Sequence, residues 1–147
     1  MTAYYVLDAS VAAKWYLPVD TEPLSRQANE VRSDHNDGYI ELIVPDLFWL
    51  EFGNVFWNAF RQRRISRQTA ERAIASIQVS GIHSIPSLPL LEAAFNLAVA
   101  NNRTVYDATY VALADDSGAP LLTADERLAN ALAARFPIRW LGAYVRA

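Results

Sequence analysis

The stretch Val105–Leu128, VYDATYVALADDSGAPLLTADERL, decides the fold class of this chain. A largely apolar helix, YDATYVALADD, is expected to end at Gly118, because glycine is the residue best suited to a helix C-terminus. The strand APLLTAD follows and ends in Asp125, and a further helix, ERLANALAARF, begins directly after it. A helix, a buried strand and a second helix in succession are typical of an α/β protein with a parallel sheet.

The rest of the chain repeats this alternation. The other predicted strands are YYVLDA, ELIV, HSIP and IRWLG. The other predicted helices are VAAKWYL, a polar helix over residues 22–32, an aromatic helix from Asp46 to the basic run RQRR, TAERAIASIQ and LPLLEAAFNLAVANN. Ser10, Asp46 and Ser66 are predicted to cap the helices that they precede. We predict a single domain over residues 1–147, an αβα sandwich around a mostly parallel sheet.

Composition excludes several classes of protein. The formal net charge of −3 does not indicate binding to nucleic acid through bulk charge, although it is compatible with a local basic patch. The chain has no cysteine, which excludes disulfides and thiolate metal sites. The N-terminal residues MTAYYVLDAS lack the pattern of a secretory signal, and no apolar stretch reaches the roughly 18 residues of a membrane span. We therefore expect a soluble, cytoplasmic protein that does not engage a membrane.

Acidic residues stand where open parallel sheets bind their ligands, beyond the carboxyl ends of the strands. Asp8 closes the first predicted strand, Asp125 follows the strand PLLT, and Asp107 begins the helix YDATYVALA. Glu51 lies about one and a half turns into the helix that follows the second strand. These four carboxylates converge at one crevice if the sheet is wound outward in both directions from the first strand.

The aromatic helix carries a polar stripe along one face. Residues three and four apart share a helix face, so Glu51, Asn54, Asn58 and Gln62 form one stripe among apolar neighbours. Two interpretations stay open at this point. The stripe either faces water, as exposed polar residues commonly do, or it lines a polar pocket.

Clustered carboxylates favour a hard divalent cation. They repel one another and hold protons unless a cation neutralises them. Oxygen ligands without cysteine or histidine suit Mg²⁺ or Mn²⁺ better than Zn²⁺, and neither His35 nor His83 stands in a metal-binding motif. A site of this kind usually serves phosphate chemistry, because the metal activates water and stabilises charge on the leaving oxygen.

With these residues in place, the chain resembles the PIN-domain family, and especially the VapC-type toxins of bacterial toxin–antitoxin pairs. YYVLDASVAAKWYLP is similar to the first strand and helix of the family, with an Asp-x-Ser motif at Asp8 and Ser10. PDLFWLEFGNVFW matches the helix that carries the family's glutamate, here Glu51. The Tyr-Asp-Ala start of a helix at Asp107 and the Thr-x-Asp ending at Asp125 complete the match, which covers nearly the whole chain.

The resemblance implies a five-stranded parallel sheet in the order 3-2-1-4-5 and an Mg²⁺- or Mn²⁺-dependent ribonuclease. It also implies an RNA substrate, a homodimer and a small cognate antitoxin that covers the site. Ser10, Thr123 and Asn54 would orient carboxylates or water. The residues that would hold the metal and carry catalysis are Asp8, Glu51, Asp107 and Asp125.

Basic residues in two places are candidates for contact with RNA phosphates. One group lies at the tip of the predicted helical hairpin and comprises Arg61, Arg63, Arg64 and Arg67. Lys14 lies near Asp8 in the sequence and is the second candidate. Such contacts would give salt-dependent affinity without sequence specificity. A charged tip that only faces solvent is the alternative.

Other classes fit the sequence less well. A phosphohydrolase of the haloacid-dehalogenase type needs a second acid two residues after the first, where this chain has Ser10. A receiver-like signalling domain needs paired acids after the first strand and a lysine near the last, but no lysine follows Lys14. A PIN nuclease that acts in RNA processing and a PIN-like module without catalysis both stay open as alternatives.

Overall fold

The computed structural model describes residues 2–146, and its centre is a five-stranded parallel sheet. The strand order is β3-β2-β1-β4-β5, which confirms the predicted α/β fold and its order 3-2-1-4-5. Val6 of the central strand is in register with Ile43 on one side and Leu121 on the other. The strands are β1 (Ala3–Leu7), β2 (Ile40–Pro45), β3 (His83–Ile85), β4 (Leu121–Thr123) and β5 (Ile138–Trp140).

Seven α-helices connect the strands within the described residues. They are α1 (Ala9–Ala12), α2 (Ser25–Asn36), α3 (Leu47–Arg61), α4 (Arg67–Gln78), α5 (Leu91–Asn101), α6 (Val105–Ser117) and α7 (Glu126–Leu132). Because right-handed crossovers run outward from β1 in both directions, helices cover both faces of the sheet. None of the helices in residues 2–146 combines the length and apolarity that a membrane crossing requires.

One hydrophobic core joins the sheet to the helices. In α3, Phe48, Phe52 and Phe56 point inward at a spacing of four residues and are almost completely buried. Each such ring stabilises the fold by about 1.5–3 kcal/mol through the apolar surface that it removes from water. In α6, every residue from Ala108 to Ala114 is buried, which explains why its sequence shows no polar face. These two helices carry Glu51 and Asp107, so the core holds both acids rigidly.

Several predicted helix boundaries need correction. The predicted helix VAAKWYL consists of α1 and a 3₁₀ turn over Ala13–Trp15. Asp8, and not Ser10, caps α1, because the Asp8 carboxylate accepts a hydrogen bond from the backbone N–H of Ser10 at 3.3 Å. The polar helix begins later than predicted, at Ser25, whose hydroxyl donates to the Glu22 carbonyl at 2.7 Å.

The two other predicted caps have different outcomes. Ser66 caps α4, and its hydroxyl accepts a hydrogen bond from the backbone N–H of Thr69 at 3.1 Å. Asp46 occupies the N-terminal position of α3, but its side chain makes no capping bond. The Asp46 carboxylate accepts a hydrogen bond from the Ser87 hydroxyl, which ties α3 to the segment after β3.

Candidate active site

The acidic residues lie at the carboxyl edge of the sheet. Asp8 directly follows β1, and its backbone N–H donates to the carbonyl of Leu122 in the neighbouring β4 at 3.1 Å. Asp125 follows β4 and caps α7. The strand order reverses between β1 and β4, and a crevice that binds ligands forms at such a point in open α/β sheets. Two of the four predicted acids therefore flank the expected crevice.

Helices bring the other two acids to the same edge. Glu51 lies in the second turn of α3, which follows β2. Asp107 lies in the first turn of α6, whose N-terminus is capped by Thr104. A carboxylate in the first turn also interacts favourably with the helix dipole. The fold thus assembles the acids from four separate elements, and the hydrophobic core determines where each element ends.

Two hydroxyl groups fix the orientation of Asp8. The buried Thr123 donates its hydroxyl hydrogen to Asp8 Oδ2 at 2.7 Å and accepts from the backbone N–H of Asp125 at 3.0 Å. The Ser10 hydroxyl accepts from the backbone N–H of Ala124 at 3.2 Å, so that α1 is tied to the end of β4. Asp8 is therefore held in place before any ligand arrives.

The four carboxylates interact as like charges. Burial raises the pKa of Asp8, and the Asp107 carboxylate raises it further. Burial and then Asp8 and Asp107 raise the pKa of Glu51 to about 7. Burial and then Asp125 raise the pKa of Asp107, while the Arg103 guanidinium lowers it. A site that disfavours the charged forms of three acids is one that a cation would stabilise.

Glu51 and Tyr110 carry unpaired polar atoms at the centre of this region. Glu51 Oε1 and the Tyr110 hydroxyl are buried, and neither makes a hydrogen bond within the described residues. The Tyr110 hydroxyl lies near Glu51 and favours its charged form, and it also lies near the backbone N–H of Ala9. Such atoms usually have partners in folded proteins, so their state here points to a missing ligand.

The donor set fits a hard divalent cation with an incomplete protein shell. Within residues 2–146, no three His, Cys, Asp or Glu side chains are arranged so that they could hold a metal ion together. Mg²⁺ commonly takes only one or two protein carboxylates and keeps several waters. The carboxylates of Glu51 and of the prearranged Asp8 supply ligands of that type.

The structure places Asn54 at the surface of α3, and its predicted role in orienting carboxylates or water stays a prediction. It lies on the exposed part of α3, and its side chain makes no hydrogen bond in the part of the chain that the structure describes. Glu51 is half-buried, so the polar stripe of α3 divides into an inner end at Glu51 and an outer end that faces solvent. The outer end agrees with the interpretation that the stripe faces water, and a polar pocket at Glu51 stays a prediction.

Lys14, predicted to contact phosphates, lies in a buried ion pair, and its predicted role stays a prediction. Its side chain is only 8% exposed, and its ammonium group lies 3.1 Å from Glu22 Oε2. Glu22 also pairs with Arg64, whose Nη2 lies 3.2 Å from Glu22 Oε1. Both cations therefore serve a structural ion-pair network that ties the segment after α1 to the tip of the hairpin.

The remaining arginines at the tip stay accessible. Arg61, Arg63 and Arg67 are all exposed. The Arg61 guanidinium stacks over Trp57 at 4.9 Å from the ring centre, and Arg67 pairs with Glu71 at 2.7 Å. Since exposed pairs of this kind are weak, these groups can exchange their partners for phosphates.

Sequence reasoning missed two residues of the site, Tyr110 and Arg103. A usable signal existed for the tyrosine, because Tyr110 stands three residues after Asp107 and must share its helix face. Arg103 precedes α6, and periodicity gives no information on a loop residue. It influences Asp107 only because the chain turns back there, after Asn102 adopts a left-handed conformation with φ 51°.

The fold and its acidic edge define an open α/β protein, a class in which ligands bind where the strand order reverses. The family model for the PIN domain matches residues 5–132. Ribonuclease VapC3 of Pyrobaculum aerophilum is 35% identical over 129 residues, which cover 85% of this chain and 92% of that protein. Ribonuclease VapC1 of Mycobacterium tuberculosis is 38% identical over 89 residues, or 60% of this chain and 65% of the relative.

Solved structures show the same fold. VapC20 of Mycobacterium tuberculosis, described as a sarcin-ricin loop cleaving toxin, superposes with a TM-score of 0.66 at 16% identity, over 90% of this chain and 95% of that one. A toxin–antitoxin complex from Klebsiella pneumoniae gives a TM-score of 0.61 at 14% identity, over 93% and 97% of the two chains. The chain belongs to the PIN-domain family.

Proposed function

We propose that this protein is a divalent-metal-dependent ribonuclease of the VapC type, which hydrolyses RNA phosphodiester bonds in the cytoplasm. The observation that carries the proposal is the unpaired, buried Glu51 oxygen among acids that raise one another's pKa. Ribonuclease activity is the named property of the relatives VapC3 and VapC1. The single-domain architecture over residues 1–147 is part of the same proposal.

The side chains of the proposed site have different roles in the reaction. Asp8, Glu51, Asp107 and Asp125 would hold Mg²⁺ or Mn²⁺, one or two of them as direct ligands and the others through bound water. When bound, the ion would supply Lewis-acid activation of water and neutralise charge on the phosphodiester. Thr123 keeps one Asp8 oxygen engaged, so the carboxylate is presented in a fixed orientation. The Ser10 bond to the backbone of Ala124 keeps β1 and β4 in register at the crevice.

Metal removal provides the first test of this function. We expect the purified protein to cleave single-stranded RNA with Mg²⁺ or Mn²⁺ and to lose all cleavage when EDTA is added. Adding back the metal in excess should restore the activity. Gel analysis of an end-labelled RNA gives the measurement. Cleavage that survives EDTA unchanged would contradict the metal-dependent mechanism.

The arginines of the hairpin tip would contribute affinity for RNA. We expect the double substitution Arg61→Gln and Arg63→Gln to weaken binding of unrelated RNA sequences to a similar extent. For single-stranded RNA, the slope of log K against log salt concentration should become less negative by about 1 to 1.5, because two phosphate contacts are lost. Fluorescence anisotropy at several salt concentrations provides the measurement.

Arg26→Gln supplies a matched control for the tip. Arg26 is also an exposed arginine, but it lies on α2 and pairs with Glu30 at 2.9 Å. The substitution Arg26→Gln should leave the salt dependence of RNA binding unchanged. If the double variant keeps the slope of the wild type, the tip does not contact RNA.

The proposed partners are a cognate antitoxin and a second copy of the chain. The Klebsiella pneumoniae relative in fold was solved as a toxin–antitoxin complex. On α5 and the turn before it, four apolar side chains are more than half exposed: Leu88, Leu91, Phe95 and Val99. An apolar row of this length suits an interface. Light scattering should then give about twice the mass of 16.4 kDa.

A role in RNA processing is the second candidate for the same chemistry. The two roles differ in the effect of expression on a cell. A toxin should arrest growth, and co-expression of a short upstream open reading frame should relieve the arrest. If expression of the active enzyme does not arrest growth, and no short open reading frame lies upstream, a role in RNA processing would be favoured.

A further inference from the structure

Within residues 2–146, four buried polar side-chain atoms make no hydrogen bond: Asp34 Oδ1, Glu51 Oε1, the Tyr110 hydroxyl and Trp140 Nε1. Two of them, Glu51 Oε1 and the Tyr110 hydroxyl, belong to residues that lie close to each other. Asp34 Oδ1 has an ion-pair partner, because Arg146 Nε lies 2.7 Å away. The Glu51 oxygen and the Tyr110 hydroxyl are an acceptor and a donor, and the hydroxyl lies close to the carboxyl group.

Tyr110 lies close to both Asp8 and Glu51, which differ in the hydrogen bonds that they already make. Its side chain is 2% exposed on the inner face of α6, one turn after Asp107. Asp8 already accepts hydrogen bonds from the Thr123 hydroxyl and the Ser10 backbone. Of these two acids, Glu51 is therefore the one with a buried oxygen that lacks a hydrogen-bond donor within residues 2–146.

We propose that Tyr110 is a positioning residue that donates a hydrogen bond to Glu51 and holds the other oxygen of this carboxylate toward the bound cation. The inference rests on the proposed metal site. A hydroxyl donates more strongly to a charged carboxylate than to a neutral carboxyl group. A bound cation favours the charged form, so the bond and the cation reinforce each other.

Tyr110→Phe isolates the hydroxyl, because it removes one oxygen atom and keeps the ring in the core. We expect Mn²⁺ to bind about tenfold more weakly, which is the usual effect of losing a group that orients a metal ligand. The melting temperature of the metal-free protein should stay the same or rise, since a buried unpaired hydroxyl is removed. Isothermal titration calorimetry with Mn²⁺ and thermal melting with and without Mn²⁺ provide the measurements.

Tyr144→Phe is the matched control, and its effects should be the reverse. The Tyr144 hydroxyl donates to the buried Asp34 carboxylate at 2.6 Å. Removing it should lower the melting temperature and leave Mn²⁺ affinity unchanged. A tyrosine whose hydroxyl only supports the fold would behave like Tyr144, so the two variants separate positioning from structure.

A double-mutant cycle with Glu51→Gln tests whether Tyr110 acts through Glu51. In the Glu51→Gln background, Tyr110→Phe should cause no further loss of Mn²⁺ affinity. An equal loss in both backgrounds would overturn the inference, as would wild-type affinity in the single variant Tyr110→Phe. If the wild-type protein itself binds no Mn²⁺, the proposed metal site falls and this inference falls with it.

Discussion

Asp107→Asn should reduce RNA cleavage by about 10³-fold, because a metal that stabilises the transition state by several kcal/mol loses a charged ligand. The fold should survive. The capping bond of α6 joins the Thr104 hydroxyl to the backbone N–H of Asp107 at 3.1 Å, and the substitution leaves it in place. Asn also relieves the repulsion between Asp107 and Asp125. Initial cleavage rates at saturating Mn²⁺, with circular dichroism for the fold, provide the measurement.

Asp116→Asn is the matched control on the same helix. Asp116 is exposed at the C-terminal end of α6, far along the helix from Asp107. We expect cleavage within about twofold of the wild type, because no ligand of the site changes. Equal cleavage by wild type and Asp107→Asn would indicate a contaminating nuclease and would remove the case for this site.

Glu51→Gln should separate stability from activity. The folded pKa of Glu51, about 7, lies above its ordinary value of 4.5, so the folded state binds this proton more tightly than the unfolded state does. The free energy of unfolding of the metal-free protein therefore falls as the pH rises from 4.5 to 7. Above pH 7 the full penalty is present, on the order of 1–3 kcal/mol. Gln removes it and should stabilise the metal-free protein at pH 8.

The same substitution should weaken metal binding and cleavage. At pH 8, excess Mn²⁺ should raise the melting temperature of the wild type more than that of Glu51→Gln, because the stabilisation by a ligand grows with the logarithm of its affinity. Urea unfolding at pH 5 and pH 8 gives the stability difference. Glu92→Gln, a substitution at an exposed position on α5, should change neither the stability at pH 8 nor the rise in melting temperature that Mn²⁺ causes. A large loss of stability in Glu51→Gln at pH 8 would mean that Glu51 is mainly a structural partner.

The overall fold was accessible from the sequence because it depends on local patterns. Buried strands, apolar helices and their alternation specify a parallel sheet, whereas the strand order 3-2-1-4-5, which the structure confirms, was implied by the resemblance to the PIN-domain family. Positions at strand ends were also predictable. Asp8 lies at the carboxyl edge of the sheet because it is the first residue after the buried central strand β1.

Long-range pairing of side chains was not predictable. Lys14 seemed available for phosphates, but it pairs with Glu22 across a turn whose path no periodicity describes. Ser10 seemed a helix cap, yet Asp8 takes that position and the Ser10 hydroxyl pairs with β4, more than a hundred residues away. Glu51 could have faced water or a pocket, and only the packing of α3 against the core decides between them.

The central claim is that the acids at the carboxyl edge form one metal site. A crystal grown with Mn²⁺ and measured at the manganese absorption edge tests it most directly. We predict an anomalous peak at the crevice between β1 and β4, within ligand distance of Asp8 and at least one of Glu51, Asp107 and Asp125. Asp107→Asn should weaken that peak. Full occupancy of Mn²⁺ elsewhere on the protein, with none at this edge, would contradict the account.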